Sequence, residues 1–201
     1  LLYNKFSYFF RLMEFKTERK IQVKENIILD KQLHATKGIL NLHQLSPIHS
    51  VKNVRYAAKP NYGFWTSTFT GGKKGSDFLK EFPMDDADWY ILQPSKADIF
   101  TVKNFGDIEH LLKHYGRKNF HNYVSHIDFE KLSNDFDALH LAVDCFAEDS
   151  SVKYITLYDE NVDEFRTLDI GNSSEHPFFQ WKAESTLWFN NKFVTCNKFQ
   201  K

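Results

Sequence analysis

Trp181-Lys182-Ala183-Glu184-Ser185-Thr186-Leu187-Trp188-Phe189 is the stretch on which the rest of the chain turns. Its β-branched and aromatic content predicts a strand. Side chains on a strand alternate between faces, so Glu184, Thr186 and Trp188 share one side and Ala183, Ser185, Leu187 and Phe189 the other. A carboxylate therefore stands in line with a large aromatic ring. Charged side chains are rarely buried without a partner, which assigns Glu184 either to the rim of a cleft or to an ordinary solvent-facing edge.

Working outward, Phe64-Trp65-Thr66-Ser67-Thr68-Phe69 predicts a second strand, carrying three hydroxyl side chains in a row and delivered by the turn-rich Lys59-Pro60-Asn61-Tyr62-Gly63. It opens into Thr70-Gly71-Gly72-Lys73-Lys74-Gly75-Ser76, which lacks the spacing of a Walker loop or a dinucleotide fingerprint and reads as a basic surface turn. Upstream, residues 21–29 alternate in part as a strand does, and 30–37 give no clear signal. Leu40 and Leu42 predict a short buried strand over 38–45, ended by Pro47. Ser46 as N-cap and Pro47 in the first turn then predict a short helix through Ile48, Val51 and Val54, leaving His43 at a strand exit.

Downstream the pattern predicts a helix over 78–82 stopped near Pro83, then strands over 89–93 and 99–102 with a turn at Pro94-Ser95-Lys96. An amphipathic helix follows over 107–115, with Asp107 as cap and Gly116 as terminator, then a helix over 129–136 and strands over 137–143 and 152–158. Residues 159–177 read as a loop. His110 and His114 have the spacing of zinc ligands, but Leu111 stands where a metalloprotease needs its general-base glutamate, so they read as solvated helix-face histidines and no metal is expected. Short strands and a few helices without regular alternation place the fold in the α+β class.

At 201 residues with 42% hydrophobic content, the chain can bury one substantial core, taken as a single domain over 21–201 behind an N-terminal extension over 1–20. The 26 basic and 26 acidic residues cancel, so no global field draws the protein to nucleic acid or to an anionic membrane. The first dozen residues are broken by Lys5 and Arg11 and form neither a membrane span nor a secretory signal. Cys145 and Cys196, far apart and in no metal-like spacing, fit a reducing, cytoplasmic setting.

Three pieces thus follow in chain order: a histidine at an early strand's end, a hydroxyl-rich aromatic strand, and a glutamate on a late strand. This order resembles the ADP-ribosyltransferase family, in particular small bacterial and phage-encoded, toxin-like members, over roughly residues 38–190. The resemblance implies two small packed, mostly antiparallel sheets with flanking helices, enclosing NAD as substrate. It implies His43 and the adjoining Gln44 on the nicotinamide ribose, Thr66 and Ser67 in the pocket strand, Trp65 or Tyr62 stacked on the nicotinamide, and Glu184 as the catalytic carboxylate. In the family's histidine branch the histidine is usually followed by Gly-Thr, where His43 is followed by Gln44-Leu45. Arginine-modifying members have Glu or Gln two residues before the catalytic glutamate, and Lys182 here makes arginine an unlikely target. The acceptor is expected to be a protein or nucleic acid, with Lys52, Arg55, Lys59, Lys73 and Lys74 flanking the pocket, and an antitoxin or other regulator a further partner. An NAD glycohydrolase and a non-catalytic interaction domain are the competing readings.

Overall fold

In the computed structural model the described residues are 25–42, 50–55, 57–72, 75–118, 124–142, 154–159, 164–169, 176–181 and 183–199. In chain order they form β1 (Glu25–Ile27), β2 (Gln32–Thr36), β3 (Phe64–Thr68), α1 (Asp77–Glu81), β4 (Asp88–Pro94), β5 (Ala97–Val102) and α2 (Phe105–Tyr115). Then follow β6 (Gly116–Lys118), β7 (Val124–Ile127), α3 (Phe129–Asp135), β8 (Ala138–Leu141), β9 (Tyr154–Asp159), β10 (Glu164–Asp169), β11 (Ser185–Trp188) and β12 (Phe193–Phe199). The mixed class is as the sequence predicts.

The sheet arrangement differs from the expected pair of small sheets. Eight strands pair in one sheet in the order β1-β5-β8-β11-β3-β2-β4-β12, with two separate two-stranded ribbons, β9–β10 and β6–β7. All pairs in the large sheet are antiparallel except β5 with β8. The sheet curls: Ile27 of one edge strand and Phe193 of the other pack against the same buried cluster, around Trp188, Phe64 and Leu92. The seam between the two halves is short, because β2 and β3 share only the register pairs Gln32↔Thr68 and Leu33↔Ser67. On the opposite face α2 and α3 cover Phe100, Leu139, Leu141 and Leu187 with Ile108, Leu111, Phe129 and Leu132.

Local chemistry sets the helix ends. The hydroxyl of Ser76 caps α1 by accepting from the Leu79 N–H at 3.3 Å. Helix α2 is capped by Asn104, and Asp107 completes a reciprocal capping box as its fourth member instead of serving as the cap itself.

Three further expectations are corrected. The early strand is Gln32–Thr36, not 38–45: among the described residues of that stretch, 38–42 join no strand. Gly38, at φ +100, turns the chain off the ladder, and Leu40 and Leu42 reach the core as side chains from backbone outside any strand. The expected helix is absent over residues 50–54, where Lys52 instead bridges to Asn61 through hydrogen bonds of 2.9 and 2.8 Å; 46–49 lie outside the described residues. The loop expected over 159–177 contains β10, whose six residues pair in full register with β9.

Gly63 starts the approach to β3, and its geometry yields a test. It sits at φ +85, and a Cβ built there lies 2.5 Å from Leu187 Cδ1 and 3.1 Å from Val51 Cγ1. Both neighbours are buried. Gly63→Ala is expected to cost about 1–3 kcal/mol, read as a lowered midpoint in urea with an unchanged slope.

Candidate active site

The site follows from the register of three neighbouring strands. Thr186 of β11 lies opposite Thr66 of β3 on one side and His140 of β8 on the other. Gln32 of β2 lies opposite Thr68. These residues point to one face, where Glu184, just before β11, joins them by strand alternation. The result is a polar cluster at the edge of an otherwise apolar core.

Its bonds are specific. Glu184 is 6% exposed, and its carboxylate accepts from the Thr68 backbone N–H at 2.8 Å and from the Thr68 hydroxyl at 3.0 Å. The Thr66 hydroxyl donates to Gln32 Oε1 at 2.6 Å and receives the Trp188 indole N–H at 2.9 Å. His140 Nδ1 lies 2.9 Å from the Thr186 hydroxyl and 3.6 Å from Glu184 Oε1. Of the two settings expected for Glu184, solvent exposure is excluded, and Trp188 beside it is wholly buried.

No lysine or arginine pairs with Glu184 among the described residues. Burial pushes its carboxyl up to about 7, against the pull of the two Thr68 bonds, and the charge of Asp77 pushes the same way. Burial takes the His140 imidazole the other way, down to about 4, with Lys103 adding to the effect. His140 is thus neutral at physiological pH, and its approach to Glu184 is a contact of polar groups, not an ion pair.

A cavity of about 560 Å³ opens beside the same strands. That volume falls within the range typical of small-molecule sites, roughly 300–1,000 Å³. Leu33, His34 and Ala35 of β2 and Trp65, Thr66 and Ser67 of β3 line it, together with Ala183 and Ser185, the two neighbours of Glu184. Further walls come from α1 and the turn after it, and from Lys59, Gln180 and Trp181. Trp65 and Trp181 meet edge to face with ring centroids 4.6 Å apart.

The sequence-derived candidates divide accordingly. Trp65 and Ser67 are on the cavity wall, and Thr66 contributes to the wall while its hydroxyl is spent on Gln32 and Trp188. Glu184 lies behind the wall, with its carboxyl clasped by Thr68. Tyr62 does not line the cavity; it is 60% exposed in a left-handed turn conformation at φ 64. His43 and Gln44 lie outside the described residues. Of the flanking cations only Lys59 is on the wall among the described residues, and Lys73 and Lys74 lie outside them.

The residue missed in the sequence is His34. It stands on β2 beside β3, its Nδ1 lies 2.7 Å from the Trp65 carbonyl oxygen, and its ring packs 4.4 Å from that of Phe64. A carbonyl only accepts, so Nδ1 carries the proton and a neutral ring presents Nε2 as an acceptor. Burial lowers its proton affinity, partly offset by the Trp65 bond. Residues 30–37 carry no clear periodicity, so the local pattern did not mark it.

His110 and His114 pack ring against ring, with centroids 4.4 Å apart, and no group of three or more potential ligands is placed to hold a metal among the described residues. No helix among the described residues is long and apolar enough to cross a membrane. Compared with protein-family models, curated proteins and solved structures, the chain matches none.

Proposed function

We propose that the protein is an ADP-ribosyltransferase that cleaves the bond between nicotinamide and ribose in NAD and passes ADP-ribose to a macromolecular acceptor. The observation that carries this reading is Glu184: a nearly fully buried carboxyl, paired with no cation among the described residues, next to the wall of a ligand-sized cavity. Burying an uncompensated carboxyl costs stability, and such groups concentrate where chemistry needs them. The resemblance drawn from the sequence supports the same residue, and His34-Ala35-Thr36 now supplies its histidine element in place of His43.

Departure of nicotinamide leaves positive charge on the ribose, and a fixed carboxylate stabilises that charge more than it stabilises the substrate. In this reading the nicotinamide ribose sits at the end of β3 where Thr68 meets Glu184, and the rest of the dinucleotide occupies the cavity. Thr68 and His140 orient the carboxyl, and the His34 imidazole holds the ribose or nicotinamide end. Burial of the Glu184 carboxyl keeps bulk water away from it.

Incubation with NAD carrying a label in the adenylate half, alone and with a cell lysate, tests the proposal. Transfer predicts free nicotinamide together with label on material that either protease or nuclease removes. Free nicotinamide with all label in soluble ADP-ribose identifies a glycohydrolase. Neither nicotinamide release nor a thermal shift at saturating NAD overturns both readings and leaves an interaction domain; a ligand at a hundred times its Kd adds about 2.7 kcal/mol and is readily seen.

A further inference from the structure

The charge of the cavity says more about its ligand than its size does. Its lining includes one formal cation, Lys59, and no aspartate or glutamate among the described residues. The buried carboxyl of Glu184 is not on the wall and is occupied by Thr68. The Lys59 ammonium lies 5.2 Å from the Trp65 ring centroid, and no carboxylate pairs with it among the described residues. Its backbone is fixed as well, since the Lys59 N–H donates to Gln180 Oε1 at 3.2 Å.

A half-buried ammonium resting on an indole, with no counter-ion among the described residues, is an incomplete arrangement. Burial weakens its hold on its proton, which is the expected response of a cation that has lost water and gained no anion. Ser67 and Ser76 on the same walls can donate hydrogen bonds to an anion, whereas the Ser185 hydroxyl donates to the Ala183 carbonyl at 3.2 Å. Phe78, Leu79, Phe82 and Met84, from α1 and the turn after it, offer an apolar surface suited to a planar ring. A ligand matching all of this carries negative charge at one point and an aromatic body at another.

We infer that Lys59 is the anion anchor of the cavity, and that the ligand it receives is a phosphate-bearing nucleotide whose phosphate seats against the ammonium. This deepens the NAD reading by assigning the diphosphate to Lys59, and it rests on that reading only for the identity of the nucleotide.

Calorimetric titration of the full chain and of Lys59→Met and Lys59→Arg, with NAD, ADP, adenosine and nicotinamide riboside, tests it. A charge-assisted hydrogen bond lost in Lys59→Met is expected to weaken NAD and ADP by about 10- to 100-fold. Adenosine and nicotinamide riboside, which lack phosphate, should bind both proteins alike, and Lys59→Arg should retain most of the affinity for the phosphorylated pair. Raised salt should weaken NAD and ADP in the wild type more than in Lys59→Met. Equal binding of NAD by wild type and Lys59→Met overturns the inference, as does an equal loss for riboside and dinucleotide. So does failure of the wild type to bind either phosphorylated probe. If ADP binding depends on Lys59 but no NAD is cleaved, the anchor stands and the transferase reading falls.

Discussion

Glutamine in place of Glu184 is expected to lower nicotinamide release from NAD roughly 10²–10³-fold while leaving NAD affinity within a few-fold of the wild type. The substitution keeps the size of the side chain and removes its charge, so any interaction that matters only when the ribose becomes positive is lost selectively. It also disturbs the clasp. The carboxylate accepts two bonds from Thr68, one per oxygen, whereas a carboxamide has one acceptor oxygen, so its NH₂ must face one of the two donors. The wild-type rate should itself rise with pH through about 7, because only the ionised carboxylate stabilises an oxocarbenium ion and burial holds the group protonated below that point. His140 adds no second inflection in that range, being neutral down to about 4. Nicotinamide release followed between pH 5 and 9, with NAD affinity measured separately, checks both statements. Undiminished turnover in the glutamine variant removes Glu184 from the mechanism.

How much of this was legible in the sequence depends on what each element relies on. Strands β3, β4 and β5 and helices α2 and α3 announce themselves through periodicity, and Gly116 was readable as the end of α2, although its cap is Asn104 and not Asp107. The alternation about Glu184 was equally readable, because strand geometry alone puts Thr186 and Trp188 on its face. Strands β2, β10 and β12 were not. Two of them depend on partners far along the chain, β2 on β3 and β4 and β12 on β4, while β10 pairs locally with β9 outside the large sheet. Gln32-Leu33-His34-Ala35-Thr36 has two polar residues that only the curled sheet explains, one bonded to Thr66 and the other to the Trp65 carbonyl. The leucines at 40 and 42 made the stronger local pattern and drew the expected strand away from 32–36. The burial of Glu184 was also hidden, because a strand pattern assigns a side chain to a face but does not say whether that face is covered.

That burial leads to a second large effect, on stability. A carboxyl whose affinity for protons is higher in the fold than in the unfolded chain favours folding when it is protonated and opposes it when it must ionise. Below its ordinary value of 4.5, Glu184 is protonated in both states and its burial carries no charge penalty. As pH rises from 4.5 towards about 7, the unfolded chain releases this proton first, and the native state loses stability over that window. Above it the whole penalty is present, on the order of 3 kcal/mol. Glu184→Gln cannot ionise. Its stability relative to the wild type, measured by urea unfolding at fixed pH values from 5 to 8, should therefore climb by that order across the window, while other titrating groups largely cancel in the comparison. Asp77, which repels the ionised form, should account for a minor part, so Asp77→Asn is expected to shrink the climb only slightly. A difference that stays flat with pH would mean that the carboxyl ionises as freely in the fold as in water. Taken with the loss of turnover, the expected gain shows one side chain pulling in two directions: the uncompensated charge that weakens the native state is the charge that the departing nicotinamide requires.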